Sequence, residues 1–336
     1  MKAFEIQGSF GLDHLTLVER PEPIPAFRHV RVRLHAASLN FRDLLIVRGQ
    51  YNPKQPLPLI PLSDGAGEVV GLGDGVTRFK VGDRVMPIFA QRWLAGEPTK
   101  ARLLSALGGP LDGTLVEEVA LHEEGLVLVP AHLSWEEAAT LPCAAVTAWS
   151  ALVTQGGLEA GDTVVVLGTG GVSLFALQIA HLHGARVIVT SSSDAKLERA
   201  RALGAAETIN YQAVPDWEKR VRELTGGTGA DHVIEVGGGG TFARSVRAVR
   251  IGGQISLIGV LAGNATEVNL APILMQNIRI QGVIVGSRET FEHLLRAVGH
   301  HQLRPVVDRV FPFAEARAAF DHMAGQGHFG KVVVRM

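Results

Sequence analysis

The chain carries one cysteine, Cys143, among 336 residues, and only two tyrosines, Tyr51 and Tyr211. A single cysteine excludes an intramolecular disulfide and argues strongly against a thiolate zinc site, which needs several ligands. Such usage fits a reducing compartment. Net charge is nearly absent too: 32 Lys and Arg stand against 33 Asp and Glu, −1 overall. Nucleic acids and anionic membranes are held by clustered positive charge. The nearest thing to a cluster, Arg244, Arg247 and Arg250, is spaced like a solvated helix face. No apolar run approaches the ~18 residues of a membrane span. The opening Met1-Lys-Ala-Phe-Glu-Ile6 reads as a strand and not as a signal peptide. The expectation is a soluble, cytoplasmic protein with no nucleic-acid and no membrane partner.

Apolar residues make up 46% of the chain and charged residues 19%, enough for a sizeable core without disulfide or metal support. At roughly 100–200 residues per domain the length suggests two domains. Two textures alternate along it. The first part is rich in strands and turns: Val30, Val32 and Leu34 alternate with Arg31 and Arg33, the period of a half-buried strand. Gly71 to Val85 holds short apolar pieces between Gly-Asp turns, as in a small antiparallel barrel or sandwich. From Ser134-Trp-Glu-Glu137, a capping box, strands and helices alternate. The pattern predicts strands at 162–167, 186–190, 232–236 and 255–259, and helices at 172–183, 194–203, 217–224 and 242–250. Asp194 is the expected cap of the second of these helices. Such alternation means a parallel, doubly wound sheet. Helices at 291–298 and 314–323 and a strand at 331–335 close the chain, a tail able to return to the first domain.

Gly168-Thr169-Gly170-Gly171-Val172-Ser173 follows the first buried strand and opens a helix. Gly168 makes the tight turn, Gly170 lets a pyrophosphate approach the backbone, and the helix N-terminus offers free N–H groups and positive dipole. Ser173 replaces the usual third glycine and is small enough for close packing. The next strand ends in Ser191-Ser192-Ser193, where an NAD site presents an acid to the ribose hydroxyls. Hydroxyls there, with Lys196 one helical turn on, suit a 2′-phosphate. The expected cofactor is therefore NADP(H).

Several segments in order carry a family resemblance: Leu39-Asn40-Phe-Arg-Asp43, Pro61 to Val70, Gly82-Asp-Arg-Val85, Leu141-Pro-Cys-Ala-Ala-Val-Thr147-Ala-Trp149, the glycine loop, Ile209-Asn-Tyr211, Gly252-Gly253, Gly282-Val-Ile-Val-Gly286-Ser287 and Gly330-Lys331. Over essentially its whole length the chain resembles the medium-chain dehydrogenase/reductase superfamily, in its zinc-independent quinone oxidoreductase-like branch. The resemblance implies an α/β fold: a GroES-like, β-rich catalytic domain over 1–122 and 284–336, around a Rossmann domain over 123–283. The zinc-dependent branch has a cysteine near the position of Asn40, Gly-His-Glu where this chain has Leu62-Ser63-Asp64, and a cysteine at the position of Cys143. Only the last remains here, and the four-cysteine lobe of that branch is missing, so no metal is expected. Cys143 then reads as a small buried residue.

Without a Lewis acid, forming an alkoxide at neutral pH is hard, and simple alcohol oxidation is disfavoured. A conjugated acceptor needs less help: hydride adds at an electron-poor carbon and charge spreads onto oxygen. The expected substrate is a quinone or an enone or enal. By the resemblance, Tyr51 and Asn40 are the catalytic candidates. Tyr51 would donate a hydrogen bond or proton to the substrate oxygen, or else only line the cleft. Asn40 would bond cofactor or substrate, or else cap a turn. The resemblance further assigns cofactor contacts to Thr147, Gly168, Thr169, Gly170, Gly171, Val172, Ser191, Ser192, Lys196, Tyr211, Gly259, Val285, Gly286, Ser287, Gly330 and Lys331. Arg42 and Asp43 read as a local ion pair. His122, His132, His181 and the pair His300-His301 show no ligand spacing. Residues 90–113 are either a substrate-choosing loop or short helix over the cleft, or a surface insertion. Residues 277–282 alternate like an edge strand, which in the family pairs across a two-fold axis, so a homodimer is expected. Two rivals remain: a zinc-dependent alcohol dehydrogenase, and a non-catalytic NADPH-binding protein.

Overall fold

The first third of the chain is built on alternation. In the computed structural model, which describes all residues 1–336, the strands β1 (Lys2–Ile6), β2 (Leu15–Glu19) and β3 (His29–Ser38) come first. In β3 the residues Val30, Val32 and Leu34 are buried and the intervening arginines are not. Helix α1 (Phe41–Val47) follows, then β4 (Asp64–Leu72), β5 (Arg84–Pro87), the short helix α2 (Lys100–Leu103), β6 (Glu118–His122), β7 (Leu126–Leu128) and α3 (Trp135–Ala139). α3 starts at the capping box read from sequence: Ser134 accepts from Glu137 N, and the Glu137 carboxylate accepts from Ser134 N. After a wide π-helical turn at Leu141–Ala145, α4 (Val146–Trp149) carries the chain from one compact unit into the next.

The second unit, Thr147–Ile284, holds β8 (Thr163–Leu167), α5 (Gly171–Leu182), β9 (Arg186–Ser191), α6 (Asp194–Ala202), β10 (Glu207–Asn210), α7 (Trp217–Leu224), β11 (Ala230–Glu235), α8 (Phe242–Ala248), β12 (Val249–Leu257), α9 (Ala271–Met275) and β13 (Arg279–Gly282). Its six strands are all parallel, in the order β10-β9-β8-β11-β12-β13. Val164, Val165 and Val166 on β8 have no exposed surface, because helices cover both faces of such a sheet. Leaving β8, one crossover leads to β9 on one side, and a later one leads to β11 on the other. The crevice beyond the C-terminal ends of β8 and β11 is thus a topological switch point, where doubly wound sheets bind ligands.

The last segment rejoins the first unit, Met1–Val146 and Val285–Met336. It comprises α10 (Arg288–His300), β14 (Val307–Pro312), α11 (Ala316–Ala324) and β15 (Lys331–Arg335). β15 pairs antiparallel with β3 and parallel with β14, giving the order β14-β15-β3-β4-β5-β7 with β6 also on β3. Phe320, Val332 and Val334 join Leu34, Leu44, Leu62 and Leu115 in one core.

The structure moves the first domain boundary from 122/123 to 146/147. β7 hydrogen-bonds β5, and Arg84 donates to Leu133 O. Residues 123–133 hold β7 and residues 134–146 are helical, and the partners of both belong to the first unit. The cap of α6 also differs from the expectation. Ser193, not Asp194, accepts from Lys196 N, while the Asp194 carboxylate accepts from Asn210 Nδ2 at 2.8 Å. Arg250 lies on β12 and pairs with Asp231 rather than extending a helix face. No helix is long and apolar enough to cross a membrane.

Candidate active site

In the second unit the glycine loop has the shape its sequence requires. Gly168 has φ +75°, the left-handed region that a side chain disfavours. A Cβ placed on Gly168 or Gly170 would meet nothing within 4 Å, so the backbone there faces open space. No side chain caps α5, so its first N–H groups are left for an anion at the positive end of a 12-residue helix. Ser173 Oγ donates to Leu167 O at 2.8 Å and is buried, closing helix onto strand as the third glycine would. These residues fit a dinucleotide pyrophosphate.

The second-strand candidates gather at the end of β9. Ser191 is buried, Ser192 is exposed, and Tyr211 N donates to Ser191 O at 3.0 Å. Lys196 lies in the first turn of α6. Thr147 and Thr169 are buried. Gly259 packs so tightly that a Cβ would stand 2.5 Å from Val236 O.

A residue not singled out in the sequence stands beside them. Glu235 ends β11 with no exposed surface. Its Oε1 accepts from Gly237 N at 2.8 Å, Gly238 N at 3.0 Å and Thr241 Oγ1 at 2.6 Å, and Oε2 accepts from Ser245 Oγ. Its carbonyl accepts from Ile258 N and Gly259 N. One residue therefore shapes the loop Gly237–Gly240 and seats Gly259, next to the glycine loop across the switch point. The signal was present: an acid ending an apolar strand, followed by four glycines.

In the first unit a buried polar cluster surrounds Asn40. Lys331 Nζ, on β15, donates to Leu39 O at 2.6 Å and to Asn40 Oδ1 at 2.5 Å, and lies 3.7 Å from Asp64 Oδ2. Asp64 accepts from Ser63 Oγ at 2.8 Å and from Cys143 N at 3.3 Å. Asn40 Nδ2 reaches Ser63 Oγ only at 3.5 Å. Asp64 and Ser63 are fully buried, whereas Asn40 is partly exposed. Burial pushes the Asp64 carboxyl up, opposed by the Lys331 ammonium and by hydrogen bonds from the Asn40 and Ser63 side chains. Beside it, Asp43 Oδ2 accepts from Asn40 N at 2.8 Å. Burial raises the Asp43 carboxyl to about 7, partly offset by Arg42. The Cys143 thiol is pushed up, first by burial and then by the Asp64 charge. Cys143 itself is only partly buried, unlike its neighbours Ala144 and Ala145.

The approach to this cluster is strained. Leu62, fully buried, has φ +72°, which a leucine adopts only when its surroundings impose it. Gly108 and Gly113 lie against its backbone so closely that a Cβ on either would come within 2.6 and 2.0 Å of Leu62 O. That turn aims Ser63 and Asp64 inward. The Arg42 guanidinium donates to Leu107 O at 3.1 Å and to Gly109 O, and lies over the rings of Phe89 at 4.8 Å and Tyr51 at 5.0 Å. Its distance to Asp43 is 3.8 Å, so carbonyls, more than the neighbouring acid, hold it. Residues 105–113 are accordingly a wall bonded to Arg42 and packed against the Leu62 backbone, and not a loose insertion. Tyr51 is half exposed.

The remaining candidates of the first unit are placed by backbone demands. Ser287 caps α10, accepting from Thr290 N at 3.2 Å. Val285 and Gly286 are buried. Gly330, at φ +95°, lies where a Cβ would meet Val306 O at 2.3 Å. Thus Asn40, Lys331 and Asp64 come together within the first unit, and Gly168–Val172, Ser191, Ser192, Lys196 and Tyr211 sit at the C-terminal strand ends of the second. No three His, Cys, Asp or Glu side chains converge as a metal site.

A parallel sheet in this order with an uncapped glycine-loop helix has the form of a dinucleotide-binding unit of the doubly wound class. The comparisons sharpen that class. Residues 27–131 match the alcohol dehydrogenase GroES-like domain, and residues 171–299 match the zinc-binding dehydrogenase domain. The chain is 45% identical to a zinc-type alcohol dehydrogenase-like protein of Schizosaccharomyces pombe, over 91% of this chain and 90% of the relative. It is 29% identical to a quinone oxidoreductase-like protein 2 homologue of Nematostella vectensis, over 91% and 81%. Among solved structures, an NAD-dependent alcohol dehydrogenase matches with TM-score 0.92 at 38% identity, covering 100% of both chains. A mycobacterial protein complexed with NADPH matches with TM-score 0.84 at 26% identity, also over 100% of both. The chain belongs to the medium-chain dehydrogenase/reductase superfamily.

Proposed function

We propose that the protein is an NADPH-dependent, zinc-independent reductase that delivers hydride to a quinone or an α,β-unsaturated carbonyl. The observation that carries the reading is the composition of the Asn40 cluster. Its two buried carboxylates already have cationic neighbours: Lys331 beside Asp64 at 3.7 Å and Arg42 beside Asp43 at 3.8 Å. A divalent ion at Asp64 would meet the ammonium on the same carboxylate, and one partly buried thiol and one acid do not make a tetrahedral N/S set. These residues do not fit zinc, although relatives carry zinc in their names. Acceptors whose carbonyl is conjugated suit such a site, because charge delocalised onto oxygen needs only hydrogen-bond donors.

Cofactor choice rests on β9. The exposed Ser192 hydroxyl and the Lys196 ammonium offer a 2′-phosphate what a strand-end acid would deny it. Bound there, NADPH supplies the hydride. The chain's own part is to hold the pyrophosphate on Gly168–Val172, to set Tyr211 beside Ser191, and to offer Asn40 Nδ2 and the Tyr51 hydroxyl as donors to the substrate oxygen. In this reading Thr147, Gly259, Val285, Gly286 and Ser287 line the cofactor. The edge strand β13, whose residues are all exposed, suits pairing in a homodimer.

The test is a parallel titration with NADPH and NADH by nicotinamide fluorescence, then turnover with 1,4-benzoquinone and 2-hexenal at micromolar EDTA. NADPH preference, turnover unaffected by chelation, and loss of that preference in Ser192→Asp support the reading. NADH preference, or activity that chelator abolishes and zinc restores, refutes it.

A further inference from the structure

Arg42 is a nearly buried cation without a close ion pair. Its side chain is 11% exposed, and the nearest carboxylate oxygen, on Asp43, lies 3.8 Å away. What holds it is neutral. Nη1 donates to Leu107 O at 3.1 Å, Nη2 donates to Gly109 O, and the guanidinium lies over the buried Phe89 ring at 4.8 Å. The Nε–H has no acceptor. Taking a charge out of water is costly where no partner cancels it, so packing alone is a poor reason for an arginine here. A guanidinium donates only in its own plane. With two wall carbonyls on its edge, that plane is fixed, and its faces are left for aromatic rings.

The second ring on this plate is Tyr51. After α1, Gly49 takes the left-handed φ of +68°, and Gln50 N and Tyr51 N both donate to Leu45 O. The reversal returns Tyr51 over the first turn of α1, where its ring lies on the Arg42 guanidinium at 5.0 Å. The two rings differ in burial: Phe89 is inside, and Tyr51 is half exposed. The inner ring helps to anchor the cation, and the cation anchors the outer ring. The Tyr51 hydroxyl makes no hydrogen bond within the chain, so its donor capacity is unspent and nothing at that end directs the ring. The backbone bonds to Leu45 place the Cα but leave the side-chain torsions open; stacking on a fixed plate restricts them.

We propose that Arg42 is a positioning residue for Tyr51: the guanidinium, fixed on the Leu107 and Gly109 carbonyls, holds the phenol ring so that its unspent hydroxyl meets the acceptor oxygen. The inference rests on the reading that Tyr51 donates to the acceptor. It gives the wall at 105–113 a second part in the site, since the carbonyls that fix the plate belong to it.

The experiment measures single-turnover NADPH oxidation by the full chain, with 1,4-benzoquinone and with 2-hexenal, for Tyr51→Phe, Arg42→Met and the pair. Tyr51→Phe keeps the ring and removes only the hydroxyl; it should slow the step about 10- to 100-fold. Arg42→Met keeps the hydroxyl and frees the ring, for a loss of about 3- to 30-fold. The pair should be no more than about twofold slower than Tyr51→Phe, because a ring without its hydroxyl loses nothing further when it is freed. If Arg42 only props the wall, Arg42→Met slows Tyr51→Phe as much as it slows the parent, and that result overturns the inference. Arg42→Lys keeps a donor for the wall but offers no plate, and runs the same comparison should the methionine variant fold poorly. The chain has two tyrosines, so ring-labelled protein gives Tyr51 one of two NMR signals; Arg42→Met should shift and narrow it, and an unchanged signal also refutes the positioning role. If Tyr51→Phe slows the step while Arg42→Met does not, the inference fails and the donor reading stands. If Tyr51→Phe runs at the parental rate, the donor reading fails and the inference with it.

Discussion

Replacing Glu235 tests how the second unit builds its binding edge. The side chain is fully buried and accepts four hydrogen bonds, two from backbone N–H groups and two from hydroxyls. In Glu235→Gln the carbonyl oxygen can keep the three donors now on Oε1, and the new NH₂ meets Ser245 Oγ, which can rotate to accept. Topology survives and charge assistance is lost, about 1–3 kcal/mol. In Glu235→Ala all four donors lose their acceptor; Gly237 N and Gly238 N cannot turn elsewhere, and the cost rises to about 3–5 kcal/mol. For a unit of this size the smaller loss lowers Tm by a few degrees and the larger by roughly 10 °C. Because the loop Gly237–Gly240 adjoins the glycine loop at the switch point, NADPH affinity should fall in the same order. Calorimetry and nicotinamide fluorescence on the two variants measure both. A Glu235→Gln protein as stable as the parent or more so would refute the reasoning, since it would mean that burying the carboxylate costs more than its four bonds return.

Other expectations follow from single contacts. Asp43, raised from its usual 3.8 to about 7, is costlier charged when folded; that penalty is absent below about pH 4, grows up to about pH 7 and is constant above. Denaturant midpoints at several pH values should therefore show Asp43→Asn gaining on the parent from pH 4 to 7, and a pH-independent difference would contradict the assignment. Gly113→Ala drives a Cβ to 2.0 Å from Leu62 O and should cost about 3 kcal/mol or more by denaturant titration; a loss below ~1 kcal/mol would show that the Leu62 turn yields. Arg42→Met removes the donors to Leu107 O and Gly109 O and should raise amide exchange across 105–113, with unchanged protection there as the disproof. Ser193→Ala should lose about 1 kcal/mol as an N-cap, whereas Asp194→Ala should lose less, and thermal melts that reverse this order would restore Asp194 as the cap.

Much of the second unit was legible because its rules are local. The Val-Val-Val run of β8, the glycine loop and helix 217–224 each declare themselves within a dozen residues, and α7 begins and ends where the pattern placed it. Boundaries were less so. β12 starts at Val249, well before the apolar run at Ile255, because pairing extends a strand beyond its hydrophobic part. The 123–146 segment misled for a similar reason: a capping box fixes where a helix begins, but not which core receives it.

The sequence by itself determined the two textures, the parallel sheet, the glycine loop and the serines at the end of β9, since each is a matter of residue type at a fixed short spacing. Only the tertiary structure decided the chemistry of the other site. Lys331 and Asn40 are 291 positions apart, and no periodicity links them; they meet because β15 pairs with β3, whose end delivers Asn40. Asp64, which looks from sequence like a misplaced metal ligand, becomes the counter-charge of that lysine once Leu62 turns it inward. Hydrogen bonds and ion pairs act over a few ångströms, so which groups share one is settled by how the strands are laid side by side and not by their order along the chain.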